Sequence, residues 1–359
     1  MVSVILIWIY MTVTCYITGY LCLTGICRKG NYQIRKESSY LFTGIVLMTV
    51  YAEIFSLFGG VSFFANALLL VICLICFWFK KEELAGHFRH IRLTVTPQRV
   101  ILILVLFLLF AYGTASGLEH YDTGLYHAQS IRWIEEYGIV PGLGNLHSRL
   151  AYNSAAFSLS ALYSMVFLTG RSFHCCTGYF AFLLAVCCTD ACCREREKKL
   201  LLSDLIRVMA VYYLLNIFDE MISPASDYFM VLTVFWLVIR WLELLERKEK
   251  STVPYSLLCI LGVYVCTIKF SGALIVLLTI WPAVKLIQGK RVQEIIRYIA
   301  CGLIVLVPFL IRNVILSGWL LYPFTAIDLF DLPFKNMIPG RSRCMEEATV
   351  MWNGLGNLL

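Results

Sequence analysis

The first 27 residues carry no charged side chain, which ties the chain to a bilayer, because one helix needs about 20 consecutive apolar residues to cross the hydrocarbon core. The run is too long for a signal-peptide core and no small-residue cleavage site follows it, so it counts as a first span. Hydrophobic residues make up 60% of the chain and charged residues 15%, with a mean hydropathy of +0.76. These proportions exclude a soluble globular domain. Apolar runs mark ten crossings, at about 4–26, 40–58, 61–79, 99–116, 172–192, 203–218, 228–245, 254–267, 270–287 and 297–316. The expected fold class is an all-α, polytopic transmembrane helical bundle.

The net charge of +7 does not indicate nucleic acid, because the basic residues fall in short clusters between apolar runs rather than in one stripe. Their placement reads as topology. With the N-terminus outside, the clusters at residues 28–36, 80–99, 194–199, 247–250 and 285–297 all fall on the cytoplasmic side, as the positive-inside rule requires. The scheme has one condition: residues 151–168, apolar but containing Ser and Tyr, lie on the outer side as an interfacial or partly inserted helix. The expected location is therefore an inner (cytoplasmic) membrane, crossed many times. Of the 15 cysteines most sit inside apolar runs, where thiols behave as small hydrophobes. The adjacent pairs Cys175-Cys176 and Cys192-Cys193 fit neither a redox nor a zinc spacing, and no disulfide or metal is assigned to them.

The one long polar insertion on the outer side is residues 118–150, which opens Glu119-His120-Tyr121-Asp122-Thr123-Gly124-Leu125-Tyr126-His127. Beyond it Leu125, Ala128, Ile131, Ile134 and Tyr137 form an apolar stripe, with Gln129, Arg132, Glu135 and Glu136 opposite. The pattern predicts an amphipathic helix lying on the membrane, stopped at Gly138. Two roles are open for Asp122: a helix N-cap or a catalytic carboxylate. Asp219, Glu220 and Asp227 form a second acidic group, and the turn between them returns to the surface of Asp122; a solvated loop with Asp227 as a cap is the plainer reading. Lys269 interrupts an apolar run in Thr267-Ile268-Lys269-Phe270-Ser271-Gly272, and Arg312-Asn313 ends the last span. Two such cations could grip a phosphate, with snorkelling anchors as the competing role. Glu53 and Arg207 are ionisable within spans, a default invitation to function. His87 and His90 are a weak metal pair. Glu119, His120, Asp122 and His127 are a better cluster, although hard cations prefer several oxygens; the cofactor stays unknown, with a divalent cation as the candidate.

At these residues the chain resembles the GT-C superfamily of integral-membrane glycosyltransferases. The matching parts are Tyr121-Asp122-Thr123-Gly124-Leu125-Tyr126-His127 with Val140-Pro141-Gly142-Leu143-Gly144-Asn145-Leu146-His147, the interrupted helix at Thr267-Ile268-Lys269-Phe270-Ser271, and Arg312-Asn313 leading to Ser317-Gly318-Trp319-Leu320-Leu321-Tyr322-Pro323-Phe324. They span about residues 118–335. The resemblance implies transfer of a hexose or pentose from a polyprenyl-phosphate carrier to a cell-envelope glycan, lipid or protein acceptor on the periplasmic side. Asp122 would be the catalytic carboxylate, and Tyr126, His127, Asp227, Lys269 and Arg312 would bind substrate. The partners it implies are the lipid-linked sugar, the envelope acceptor and membrane lipid. The chain departs from the better-known members in lacking a paired Asp-Asp or Asp-Glu at the loop motif.

Two other readings compete. A polysaccharide polymerase or ligase would also be polytopic, but would lean on outer arginines and histidines. A flippase or transporter of lipid-linked sugars would use Glu53, Arg207 and the break at Lys269 as pathway residues, although no inverted repeat is visible. The sequence divides into N-terminal spans (1–117), an outer loop with amphipathic helices and the acidic motif (118–170), further spans (171–317) and an outer segment (318–359). That last segment is expected to be truncated, because its end, Trp352 to Leu359, is uncharged and rich in apolar residues and glycine.

Overall fold

The computed structural model describes residues 1–190, 200–324 and 327–335, and is all-helical over them. Expectations for residues 191–199 and 336–359, including one basic cluster, Cys192-Cys193 and the uncharged C-terminal end, lie outside the described residues. The helices are α1 (Val2–Lys29), α2 (Ser38–Ser56), α3 (Phe63–Thr94), α4 (Pro97–Ser116), α5 (Ala128–Tyr137), α6 (Ala155–Leu162), α7 (Val166–Thr169), α8 (Cys176–Thr189), α9 (Leu202–Asn216), α10 (Ser226–Glu246), α11 (Val253–Ile268), α12 (Ile280–Gln288) and α13 (Val292–Ser317). A π-helical turn (Thr123–His127) leads into α5, and a 3-10 helix (Phe270–Thr279) leads into α12.

Seven segments are long and apolar enough to cross a membrane: α1, α2, α3, α4, α10, the 3-10 helix running into α12, and α13. The chain is therefore a multi-pass membrane protein. The remaining expected crossings at 172–192, 203–218 and 254–267 correspond to the shorter helices α8, α9 and α11. α3 runs on past its apolar stretch to Thr94, because the Lys, Glu, Leu, Ala and Arg that follow favour a helix and proline first appears at Pro97. His87 thus lies on a helix rather than in a loop, and its Nε2 is 3.0 Å from the Tyr16 hydroxyl and 3.1 Å from Glu37.

Apolar side chains gain little by leaving lipid for one another, so packing in such a bundle depends on close backbone approach at small residues. α1 and α2 show this. A Cβ added to Gly19 would lie 1.9 Å from the Tyr40 carbonyl oxygen, and one on Gly44 would lie 1.8 Å from that of Cys15. α4 and α8 run antiparallel in the same fashion: Gly178 sits against Thr114 at one end, while Arg99 meets Asp190 at the other. Polar contacts then sort the bundle into two ends. Lys36, Arg99, Asp190, Arg207, Arg240 and Glu243 meet at one, with the basic clusters. The other holds the loop after α4, with Leu118 N–H donating to the Asp219 carbonyl, His120 N–H to Ser223 Oγ and Thr177 Oγ1 to the Ser223 carbonyl.

Two expectations for that second end are corrected. Of residues 151–168, expected to be interfacial or partly inserted, the eight residues of α6 are all buried, packed on α2, α5, α10 and α11, as a helix apolar on every side must be, which removes the interfacial form and leaves the partly inserted one. The stripe on α5 is also displaced. Thr123, His127, Ser130, Ile131, Ile134 and Glu135 are buried, whereas Leu125 and Tyr137 are exposed. Glu135 stands one turn after the buried Ile131 on the same face of α5, where it accepts from Ser172 Oγ at 2.6 Å, while the wider π-turn sets Leu125 out of phase with that face.

Candidate functional site

The π-turn that rephases α5 also presents the acidic motif. π-bulges inside α-helices recur at functional sites, and here the turn places Tyr126 and His127 beside each other, ring centroids 4.2 Å apart. Asp122 stands at the head of the turn, in helical backbone conformation and with no capping bond from its side chain. Instead its carboxylate accepts from Arg149 Nη1 at 2.9 Å, and its backbone N–H donates to His120 Nδ1 at 3.2 Å. The N-cap role therefore does not explain this carboxylate. The Arg149 guanidinium stacks over the Tyr126 ring, 5.3 Å from its centroid, an arrangement that suits arginine's flat, weakly hydrated group. Both charged partners remain in reach of ligand, with 44% of the Arg149 side chain and 32% of the Asp122 side chain exposed.

His127 points the other way. It is 3% exposed, packs on Phe157, and its Nδ1 has no hydrogen-bond partner among the described residues. Burial, which disfavours the charged imidazolium, pushes its pKa down to about 4. His127 is accordingly neutral at physiological pH and contributes shape and a polar atom rather than charge. Burial also raises the Tyr126 phenol above its usual value.

A second ion pair faces the first. Lys269 sits in extended backbone at the break after α11, where Nζ is 2.6 Å from both carboxylate oxygens of Asp227. Asp227 lies in the first turn of α10, where a negative charge is also favoured by the helix dipole. His120, Asp122, Asp227 and Lys269 all act electrostatically on His127, so the expected return of Asp227 to the surface of Asp122 is what the chain does. Asp219 and Glu220 instead occupy a short 3-10 turn whose backbone pins the start of the loop.

Arg312 is not part of this surface. It is 1% exposed, and its guanidinium donates to Ser56 Oγ and to Asn153 Oδ1. The expected joint grip of Lys269 and Arg312 on one phosphate is therefore not formed: Lys269 is taken by Asp227, and Arg312 is held inside, near Glu53 of α2. Snorkelling does not describe it either. Glu53 is itself 1% exposed, with Oε1 unpartnered among the described residues. Arg207, flagged for its depth, is bonded to Ser203, Asp204 and Glu243.

One segment that sequence reasoning passed over connects these groups. Arg149 reaches Asp122, Tyr152 meets Tyr322 edge-on at 5.2 Å, Asn153 accepts from Arg312, and Ser154 Oγ donates to the Ile268 carbonyl at 2.8 Å. Residues 149–154 thus span from the acidic motif to the helix break and to α13. The only sequence signal for them was a Ser before an apolar run, and Ser154 Oγ does accept from the N–H of Ala156 at 3.3 Å. Among the described residues no group of three or more His, Cys, Asp and Glu side chains converges on one point; of the sequence cluster, His120 and Asp122 are occupied as above and His127 turns inward.

No curated protein and no solved structure matches the chain. A family model does, over residues 1–340, under the description domain of unknown function DUF8201. With nearly its whole length matched, the chain belongs to the DUF8201 family.

Proposed function

We propose that the chain is a membrane glycosyltransferase of the GT-C type, moving a hexosyl or pentosyl unit from a polyprenyl-phosphate carrier to a cell-envelope glycan, lipid or protein. The observation that carries this reading is the half-exposed Asp122–Arg149 pair stacked on Tyr126: a carboxylate with no capping duty, held by an arginine that a phosphate could take over. In the reaction the acceptor hydroxyl gives its proton to Asp122 as its oxygen bonds to the anomeric carbon. The bond from that carbon to the carrier's phosphate oxygen breaks, and the polyprenyl phosphate leaves. Arg149, released from Asp122 when donor binds, has the fork geometry to hold the departing phosphate, with Lys269 as the second cation if Asp227 yields it. Proton removal by a placed base contributes about 100- to 10,000-fold. Tyr126 shapes the sugar end of the site, with neutral His127 packed behind it.

The same reading places the protein in the inner membrane with ten crossings, counting α8, α9, α11 and the composite 3-10 helix and α12 as spans, and puts the Asp122 end outside. It rests on the gathering of the basic clusters at the opposite end. Reporter fusions at Gln33, Gly86, Lys250 and Gln293 are expected to signal cytoplasm, and those at Leu143 and Ala225 the outer side; a cytoplasmic signal at Leu143 would overturn the orientation. For the activity, purified protein is incubated with radiolabelled polyprenyl-phosphate sugars and a membrane extract. Label moving to an acceptor in an Asp122-dependent manner supports the reading, and movement of intact lipid-linked sugar across vesicles without transfer would favour a flippase. That rival has one observation of its own, the buried Glu53 beside Arg312, since ionisable groups at that depth mark transport pathways.

A further inference from the structure

Arg149, which pairs with Asp122, belongs to a segment with its own fixed points. Residues 148–151 form one 3-10 turn, in which Leu150 is 6% exposed and shares an apolar cluster with Leu143 and with Leu316 of α13. The turn is therefore a short, stiff lever. Arg149 stands near one end of it, and Asn153 and Ser154 follow the other.

These two consecutive side chains tie the lever to two different helices. The Asn153 amide is used at both ends: Oδ1 accepts from Arg312 Nε at 3.3 Å and Nδ2 donates to the Phe309 carbonyl at 3.0 Å, both on α13. A guanidinium only donates and a carbonyl only accepts, so leucine at this position loses both bonds. Ser154, 4% exposed, donates instead to the Ile268 carbonyl at 2.8 Å. Ile268 is the last residue of α11, and the final carbonyls of a helix have no partner within it. Ser154 thus takes the place of the next helical turn, at the point where Lys269 leaves the helix in extended backbone and reaches Asp227.

The lever so joins the two accessible cations of the candidate site, Arg149 at 44% and Lys269 at 39% side-chain exposure. Their pairs surround the same two rings: Asp122, Arg149 and Asp227 act electrostatically on Tyr126, and Lys269 acts on the adjacent His127. We propose that Asn153 and Ser154 are positioning residues for the donor, which hold Arg149 and Lys269 at a set separation so that both meet one phosphate. Neither side chain touches the donor itself. The inference rests on the donor reading given above and adds to it the residues that make the two cations act as a unit. A scaffold role alone would support the fold without making the effect of one cation depend on the ties of the lever.

The test is binding of polyprenyl phosphate to the purified protein, followed by native mass spectrometry, with Lys269→Ala introduced in three backgrounds. In the native background, loss of a cation from the phosphate is expected to weaken binding about tenfold. In Asn153→Leu and in Ser154→Ala, each of which frees the lever from one helix, Lys269→Ala is expected to weaken binding only about twofold, because the two cations no longer meet the phosphate together. Ser154→Ala leaves every partner of Arg312 in place, so it decides the matter should Asn153→Leu fail to fold. Hydrogen exchange without lipid is the second readout. Both variants are expected to speed exchange at residues 149–152 and at residues 268–271, although the bonds of Asn153 run to α13. A tenfold effect of Lys269→Ala in every background, or exchange that rises in only one of the two segments, overturns the positioning role and leaves the donor reading standing. A native protein that does not bind polyprenyl phosphate overturns the donor reading, and the positioning role with it.

Discussion

At the basic end Asp190 is 5% exposed and accepts from Lys36, Arg99 and Arg240, while at the opposite end Asp122 is a third exposed and is paired with Arg149. The contrast extends to their neighbours. Glu243, 8% exposed, lies between Arg207 and Arg240, so Asp190, Glu243, Arg207 and Arg240 are each answered by more than one partner. Around Asp122 the charges come two by two and accessible, with Arg149 stacked on Tyr126. A buried, interlinked network cannot be rearranged without leaving a charge uncompensated, and it binds α2, α4, α8, α9 and α10 together. Exposed single pairs are worth about 0–1 kcal/mol, so a ligand can open them at little expense. The first arrangement holds the fold, and the second is the kind that can exchange partners with a substrate.

The largest effect is expected from breaking the network. Arg240→Met leaves Asp190 and Glu243 short of a partner inside the protein, and removing one member of a buried pair costs about 3–5 kcal/mol. Thermal unfolding in detergent should show a marked loss of stability; a melting curve close to that of the native protein would mean that the two ends do not differ as described.

A second test concerns the buried part of the Asp122 end. Burial lowers the His127 pKa from 6.5 to about 4, so between those values the unfolded chain binds a proton that the folded protein does not. Stability should therefore be fully present above pH 6.5 and fall as pH drops toward 4, by about 3 kcal/mol from this residue. Every other group is common to both proteins, so the difference between native protein and His127→Asn isolates the contribution. An equal acid dependence in the two would show that His127 is solvated rather than enclosed.

Seven of the ten expected crossings are helical segments long and apolar enough to span, because runs of about 20 apolar residues have few alternatives, and the clustered cations supplied the two ends. Asp122, Tyr126, His127, Asp227 and Lys269 were also legible, since polar residues stand out against such a background. Arg149 was not: its partner is 27 residues away, and a lone arginine in an outer loop reads as a solvated charge. Arg312 was misplaced for the converse reason. Its position at the end of an apolar run suggested an outward-facing cation, and only the long-range approach of Ser56 and Asn153 holds it inside. α6 escaped because six apolar residues with two serines fit an interfacial helix as well as a buried one. The π-turn has no sequence signature, yet it sets Leu125 out of phase with the buried face of α5.

The claim that Asp122 belongs to a reactive site rather than to the scaffold is tested most directly by Asp122→Asn, with melting temperature and sugar transfer measured on the same preparation. Asn preserves the volume and can still accept from Arg149, and the exposed ion pair it replaces is worth about 1 kcal/mol or less. The expected result is a melting temperature close to that of the native protein together with a transfer rate lowered about 100- to 10,000-fold, the span that a lost general base accounts for. Native-like transfer by the Asn protein, or a loss of transfer that only follows a loss of folded protein, would contradict the account.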